Sequence, residues 1–206
     1  MSITTYAELK TAIANWLDDD NLTSRIPEFV SLCEDRIAQN LRIRLMETSA
    51  DLTVNAQEVS LPTGYLGHRR LYLSGNPVRI LNYETPDNFW QSYMSTDTAK
   101  PVAFTVEGDN FVFGPAPDTS YTGKILYYKR LTAFSDDTDT NTLLTTARGL
   151  YLYGALIEAS TYLEDDVSIL KWSALFDDLI DKVMTNDKRD RASGVIRMRD
   201  PAVGVV

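Results

Sequence analysis

Hydrophobic residues at both ends of the chain repeat with the period of an α-helix. The apolar face of the first segment consists of Leu9, Ile13, Trp16 and Leu17. The apolar face of the second segment consists of Phe29, Cys33, Ile37 and Leu41. A helical period returns over 150–162 and again after 166, where the expected buried side is Leu170, Leu175, Leu179 and Val183, with Trp172 and Phe176 beside them. These spacings predict a helical hairpin at each end of the chain.

Between residues 46 and 131 the period changes to two, which is typical of β-strands. Apolar residues alternate with polar residues on both sides of the turn-forming stretch 55–58, and this pattern predicts a β-hairpin. The whole region predicts six or seven antiparallel strands. Residues 132–142 are polar and rich in turn formers, so they predict a linker or an exposed loop.

Neither helical hairpin can be stable alone, because each would expose its apolar face to water. Packing the two hairpins together buries both faces. The predicted fold class is therefore α+β: a four-helix bundle from N- and C-terminal helical hairpins with an inserted antiparallel β-rich domain. The predicted boundaries are 1–45 and 132–190 for the helical bundle, 46–131 for the β domain and 191–206 for an extended C-terminal tail.

Composition and charge narrow the classes of function. The 206 residues include one cysteine and one histidine, and 29 acidic against 20 basic side chains give a net charge of −9. An internal disulfide is impossible, and an acidic chain does not favour general nucleic-acid binding or anionic membranes. The charge is uneven: residues 132–187 carry three basic and eleven acidic groups, whereas residues 188–206 carry five and two. The basic tail therefore contrasts with an acidic helical segment.

Candidate chemistry is sparse. His68 stands beside two arginines, and no Gly-x-Ser-x-Gly motif supplies a nucleophile for it. Cys33 lies on an apolar helical face, which favours a buried thiol over a reactive one. The stretch 137–148 begins like an EF-hand calcium loop, but Thr142 and Arg148 stand where that loop needs glycine and glutamate. The sequence therefore predicts no catalytic residues, no cofactor and no metal site.

Two other classes of function stay open from the residues alone. A pair of carboxylates could act on glycans, as in glycosidases. Alternatively, aromatic side chains on the predicted strands could form a monomeric carbohydrate-binding module, although strand aromatics more commonly fill cores and cross-strand positions. No apolar stretch approaches the length of about twenty residues that a membrane helix needs.

Five blocks of sequence are distinctive in combination. They are ITTYAELKTAIANWLDDDNLTSRIPEFVSLCEDRIAQNLRIRLMET, VSLPTGYLGHRRLYL, PVRILNYETPDNF, FGPAPDTSYTGKILYYKRLTAFSD and TLLTTARGLYLYGALIEASTYLEDD. In this order they resemble phage adaptor proteins, the head–tail connector or head-completion proteins of tailed bacteriophages, and the resemblance extends from residue 3 to about residue 190.

This resemblance implies a structural virion protein without enzymatic activity. Proteins of this kind form a ring, commonly of twelve copies, below the portal, and the DNA conduit passes through that ring. The implied partners are the portal protein, tail or nozzle proteins and further copies of the chain, with no sequence-specific nucleic-acid binding and no membrane. The implied location is the head–tail interface of the virion, with assembly in the host cytoplasm.

The C-terminal tail combines basic and apolar residues, which is unusual for a segment that serves only solubility. Apolar and basic side chains alternate here as in a β-strand, over Ile196, Arg197, Met198 and Arg199, and Arg191 precedes them. A single strand gains little alone, but it gains hydrogen bonds and side-chain pockets when it binds another chain. We therefore hypothesise that the tail binds the portal or an adjacent subunit, with the arginines steering the approach and Ile196 and Met198 anchoring it.

Overall fold

The computed structural model describes residues 3–94 and 97–192. The chain divides into two compact units, Met1–Ile43 with Ala133–Val206 and Arg44–Thr132. Within the described residues the α-helices are α1 (Tyr6–Leu17), α2 (Ile26–Asn40), α3 (Pro86–Ser92), α4 (Thr142–Thr146), α5 (Arg148–Tyr162) and α6 (Asp166–Ala192). The strands are β1 (Glu47–Val54), β2 (Glu58–Ser60), β3 (Tyr65–Leu73), β4 (Arg79–Tyr83), β5 (Ala103–Glu107), β6 (Asn110–Gly114) and β7 (Tyr121–Lys129). Short 3₁₀ helices cover Asp20–Arg25 and Arg44–Met46.

Helix α5 is the centre of the helical unit. Nine of its fifteen residues are buried, and it packs against α1, α2, α4 and α6. Leu9 and Ile13 of α1 are fully buried, as are Cys33 and Ile37 of α2. A helix that is apolar on most of its circumference has to be surrounded by other elements. The core of this unit therefore joins residues from both ends of the chain.

Two glycines allow close helix packing around α5. A Cβ atom at Gly154 would overlap the Cys33 sulfur of α2 and would lie 3.2 Å from the Phe176 ring of α6. A Cβ atom at Gly149 would approach one atom too closely, the far end of the half-buried Leu179 side chain at 2.7 Å. Its distance to the Tyr153 ring would be an ordinary van der Waals contact. Gly154 therefore lies where three helices approach too closely for any side chain at that position.

The segment 133–141 is a largely exposed loop, as predicted, and hydrogen bonds and ring contacts attach it to the helical unit. The backbone N–H groups of Tyr6 and Ala7, in the first turn of α1, donate to the carbonyl oxygens of Asp139 and Asp137 at 2.9 and 3.0 Å. The Phe134 ring stacks on Tyr6 at 5.2 Å and also contacts Tyr151 of α5. The first amides of a helix have no partner within that helix, so this segment supplies the partners that α1 lacks.

The β unit is one seven-stranded sheet with the order β1-β7-β3-β4-β5-β6-β2. All pairings are antiparallel except β4 with β5, which is parallel. The edge strands β1 and β2 are joined by three residues, which span at most about 14 Å, whereas seven flat strands would separate them by about 29 Å. The sheet therefore curls into a half-barrel.

The inner face of the half-barrel holds its hydrophobic core. The core residues come from six strands and are Leu52, Val54, Leu71, Leu73, Leu81, Phe104, Phe111, Phe113, Ile125 and Tyr127. Helix α3 covers a second small cluster with Phe89, next to Ala103 and Val112. The strand alternation seen in the sequence thus marks which residues enter the core.

The prediction of a four-helix bundle with an inserted antiparallel β domain is wrong, although the coarse α+β class agrees with the structure. Six α-helices occur in the described residues, and the sheet is mixed and curled. The predicted hairpin around 55–58 is also wrong, because β1 pairs with β7 and β2 pairs with β6. Both segments form strands, but each pairs with a strand that is distant in sequence.

Two predicted buried faces also differ from the structure. Trp16 is 50% exposed, and its ring lies at the surface against Trp172, at 5.4 Å between ring centres. In α6 the predicted positions Leu170 and Leu175 are exposed, whereas Phe176 and Ile180 are buried. The 27 residues of α6 exceed the length of α5, but no helix in the described part of the chain is long and apolar enough to cross a membrane.

Replacing Gly154 by alanine should lower the stability of the helical unit. Alanine stabilises a helix by about 1 kcal/mol relative to glycine, but overpacking against a buried sulfur costs about 1–3 kcal/mol. We expect a lower denaturation midpoint for Gly154→Ala and partial recovery in the double variant Cys33→Ala/Gly154→Ala. Gly149→Ala is the matched control in the same helix and should be near neutral, because the Leu179 end can move. Equal midpoints for Gly154→Ala and the unsubstituted protein would contradict this packing argument.

Candidate functional site

The histidine lies in the wall of the β core. His68 of β3 packs against the rings of Tyr83 at 4.5 Å and Phe104 at 5.2 Å, and its Nδ1 atom lies 3.4 Å from the Tyr65 hydroxyl. Burial lowers the pKa of His68, because the charged imidazolium is poorly solvated there. The described contacts of this side chain are those of a packed aromatic residue.

The cysteine is a packing residue of the helical core. Cys33 is fully buried, and its sulfur lies 3.6 Å from the carbonyl oxygens of Leu150 and Tyr151, to which the thiol can donate weakly. Burial raises the pKa of Cys33 well above its usual range. A buried thiol of this kind stays protonated and has little nucleophilic character.

The acidic residues of segment 133–141 organise their own loop. The Asp139 carboxylate accepts hydrogen bonds from the N–H groups of Ser135 and Asp136, at 2.7 and 2.8 Å, and these bonds lower the pKa of Asp139. Asp137 forms an ion pair with Lys10 of α1 at 2.5 Å. Among the residues that the structure describes, no group of three or more potential ligands is arranged to hold a metal ion.

The hypothesised tail site is only partly within the described residues. Arg191 lies in the last turn of α6, where its Nε atom donates to Asp187 at 2.6 Å. Ile196, Arg197, Met198 and Arg199 lie outside the described residues. The structure therefore places the root of the tail at the end of a long helix.

A hydrophobic ridge runs along the solvent side of α6. Val167 is 79% exposed and Leu170 is 74% exposed, and with exposed Ala174 they occupy one face at positions i, i+3 and i+7. The opposite face carries the buried residues Phe176 and Ile180. We call Val167, Leu170 and Ala174 the α6 ridge. Large apolar side chains exposed side by side on a helix are typical of an interaction surface.

The α6 ridge begins at a tight turn between α5 and α6. The Asp165 N–H donates to the Ser160 carbonyl at 3.0 Å, and Glu164 adopts a left-handed conformation with φ of 56°. Asp165 then accepts hydrogen bonds from the Ser168 side chain and from the Ser168 N–H, the latter at 3.2 Å, and these bonds lower the pKa of Asp165. The turn therefore fixes a carboxylate at the start of the ridge.

Acidic side chains outnumber basic ones around the ridge. Residues 163–182 contain six acidic side chains, which are Glu164, Asp165, Asp166, Asp177, Asp178 and Asp181. Two basic side chains occur in the same stretch: Lys171 lies over the Trp172 ring at 4.2 Å, and Lys182 pairs with Asp178 at 2.6 Å. The ridge is thus an apolar strip with a net negative border.

A second exposed apolar surface lies on the β unit. Val78 is 58% exposed and Ile80 is 61% exposed, and Ile80 faces Tyr72 across the β3–β4 pair. The Arg70 guanidinium lies over the Tyr72 ring at 5.7 Å. We call Val78, Ile80 and Tyr72 the β4 patch. The charged group that lies over the patch, Arg70, is basic, so the patch differs in charge from the α6 ridge.

The sequence interpretation missed the α6 ridge because it placed Leu170 on the buried side. The sequence of this helix has a second apolar face with equally good helical spacing, which consists of Ile169, Trp172, Phe176, Ile180 and Val183. A helix with two apolar faces has more apolar residues than packing on one neighbour can bury. One face packs within the chain and the other stays exposed. That surplus could have indicated an interaction surface.

The net charge of the protein is concentrated in the helical unit. Residues 3–43 and 133–192 carry ten basic and nineteen acidic side chains, whereas residues 44–132 carry eight and nine. The β unit is therefore almost neutral. An acidic unit and a neutral unit favour different kinds of neighbour.

Acidification should destabilise the β unit through His68. The unfolded chain takes up a proton near pH 6.5, the usual histidine pKa, whereas the folded pKa is lower. The stabilising contribution is therefore complete above that pH and is lost as the pH falls from 6.5 through the folded pKa. His68→Phe keeps an aromatic ring, so its urea midpoint should fall less between pH 7 and pH 5. Equal pH dependence of the two proteins would contradict the burial of a neutral histidine.

The comparison with protein families gives one match that spans nearly the whole chain. Residues 4–199 match the family model of the SU10 adaptor protein. No curated protein matches the chain. The matched range contains the β unit, nearly all of the helical unit and the α6 ridge. The chain therefore belongs to the SU10 adaptor protein family, and it is a phage structural adaptor.

Proposed function

We propose that this protein is a head–tail adaptor that forms a ring below the portal, joins the capsid to the tail and lines the DNA conduit. The observation that carries the proposal is the family match over residues 4–199. The family implies interaction with portal and tail proteins in general. We propose a ring of twelve copies, with the portal on one side and tail or nozzle proteins on the other.

The charge distribution supports a role next to moving DNA. The helical unit carries nearly the whole net charge of −9. DNA passes an acidic wall without lasting contacts, because like charges repel and no counterions are released by binding. We propose that part of the acidic helical surface faces the conduit.

The exposed apolar surfaces support assembly with other protein chains. The α6 ridge and the β4 patch lie on different units and differ in charge. Two different patches on one chain suit a head-to-tail contact between copies or contacts with two different partners. A structural adaptor uses such surfaces and needs no catalytic site.

Native mass spectrometry of the purified protein, alone and with its portal, tests the proposed function. We expect a species with the mass of a ring on the portal in the mixture. The control is the portal incubated with an unrelated acidic protein of similar size. A protein that stays monomeric in the presence of portal would contradict the proposal, and turnover or binding of glycans by that monomer would favour the alternative classes.

Deletion of the tail after Ala192 should separate folding from assembly. The melting temperature should change little, because the described helices and strands end at that residue. Ring formation or portal attachment should fail, because Ile196, Arg197, Met198 and Arg199 are lost.

Deletion after Asp200 is the matched control for this prediction. It shortens the same terminus but keeps Arg191 and the four residues 196–199, so it should assemble like the complete chain. If protein truncated after Ala192 still completes infectious particles at the normal level, the tail has no docking role.

A further inference from the structure

The α6 ridge has the features of a surface that another segment covers. Val167 and Leu170 are the two most exposed large apolar side chains of the helical unit in its described residues. They lie opposite the face that packs on α5, so the helical unit itself cannot bury them. Their position at the start of a 27-residue helix, next to a hydrogen-bonded turn, makes the ridge a rigid target.

The border of the ridge defines the chemistry of its partner. Six carboxylates and two engaged lysines surround the apolar strip. A complementary segment must therefore carry apolar side chains to cover Val167 and Leu170, and basic side chains to meet the acids. A purely basic segment would leave the apolar residues in water, and a purely apolar one would desolvate carboxylates without compensation.

The end of this same chain has that composition. Beyond Ala192 the chain continues for fourteen residues, in which apolar Ile196 and Met198 alternate with basic Arg197 and Arg199. We propose that the α6 ridge of one copy binds the tail of a neighbouring copy, with Ile196 and Met198 on Val167 and Leu170. This inference rests on the proposed ring, which brings neighbouring copies together.

The length of α6 excludes the tail of the same copy as the occupant. Leu170 precedes Ala192 by 22 helical residues, which corresponds to about 33 Å along the helix axis. Met198 is six residues beyond Ala192, and six extended residues reach at most about 21 Å. The anchor residues therefore reach a ridge only on another copy.

A contact of this kind is directional. The tail of each copy binds the next copy while its own ridge receives the tail of the previous one. Such a heterologous contact repeats around a ring until it closes, whereas an isologous contact stops at a dimer. The basic tail also neutralises part of the like-charge repulsion between acidic helical units of adjacent copies.

Cysteine crosslinking between full-length copies tests the proposal. One variant carries Leu170→Cys and the other Met198→Cys. Cys33 can stay in both, because it is buried and its thiol is protonated. The two variants are mixed, assembled on portal and oxidised mildly, and linked peptides are identified by mass spectrometry. We expect a disulfide between residues 170 and 198 of different copies, and each variant oxidised alone is the control for links between identical sites.

The matched control replaces Leu170→Cys by Ile80→Cys, which is similarly exposed but lies in the β4 patch. This control should give at least tenfold less linkage with Met198→Cys. Equal linkage at positions 80 and 170, or absence of the 170–198 link in rings that do form, would overturn the proposal. If a chain that carries both Leu170→Cys and Met198→Cys forms this disulfide only within one copy, the proposal is also overturned.

A second pair of variants separates this inference from the proposed function. Val167→Asp/Leu170→Asp should keep the melting temperature within a few degrees, because both residues are exposed, but should reduce ring formation on portal at least tenfold. Thr185→Asp/Asn186→Asp is the control, because it adds the same two charges at exposed positions of α6 outside the ridge, and it should keep the 170–198 contact. Normal rings of the ridge variant would refute the tail–ridge contact and leave the adaptor function intact. Absence of any ring with the unsubstituted protein would refute the proposed function itself.

Discussion

The burial of α5 is the constraint on which the helical unit depends. This helix has hydrophobic side chains on most of its circumference, and nine of its fifteen residues are buried. No single neighbour can cover such a helix, so α1 and α2 from the beginning of the chain and α6 from its end have to meet around it. Gly154 then allows Cys33 of α2 and Phe176 of α6 to pack directly against the backbone of α5. The ordered segment 133–141 follows from this arrangement, because it leads the chain back to the first turn of α1.

The β unit depends on a different constraint, which is the short connection between its two edge strands. Three residues link β1 to β2, although these strands lie at opposite ends of the sheet order. Curling brings the two edges together and also encloses the apolar inner face without a second layer on that side. The parallel pair β4–β5 reflects the same geometry, since α3 carries the chain between the two strands and packs its Phe89 against Ala103 and Val112.

The sequence predicts the kinds of elements better than their partners. Thr5 and Glu8 have the local spacing of a capping box, and both hydrogen bonds of that motif are present at the start of α1. The pairing of β1 with β7 depends on residues about seventy positions apart, and no local pattern carries that information. In α6 two apolar faces compete, and only the packing against α5 decides that Phe176 is buried and Leu170 is exposed. The candidate surface was therefore missed for the same reason as the fold: both depend on which surfaces find a partner within the chain.

The separation of the helical core into two distant parts has a consequence during synthesis. Leu9, Ile13 and Cys33 belong to a core whose central helix begins only at Arg148. At a translation rate of about 5–20 residues per second, α1 and α2 leave the ribosome several seconds before α5 exists. During that interval their apolar faces lack α5, the helix that buries them, and β1 lacks its partner strand β7. The nascent chain therefore depends on the host's chaperones or on transient contacts at a stage when the finished protein does not, and expression in a foreign host should be most sensitive to translation speed between these two points.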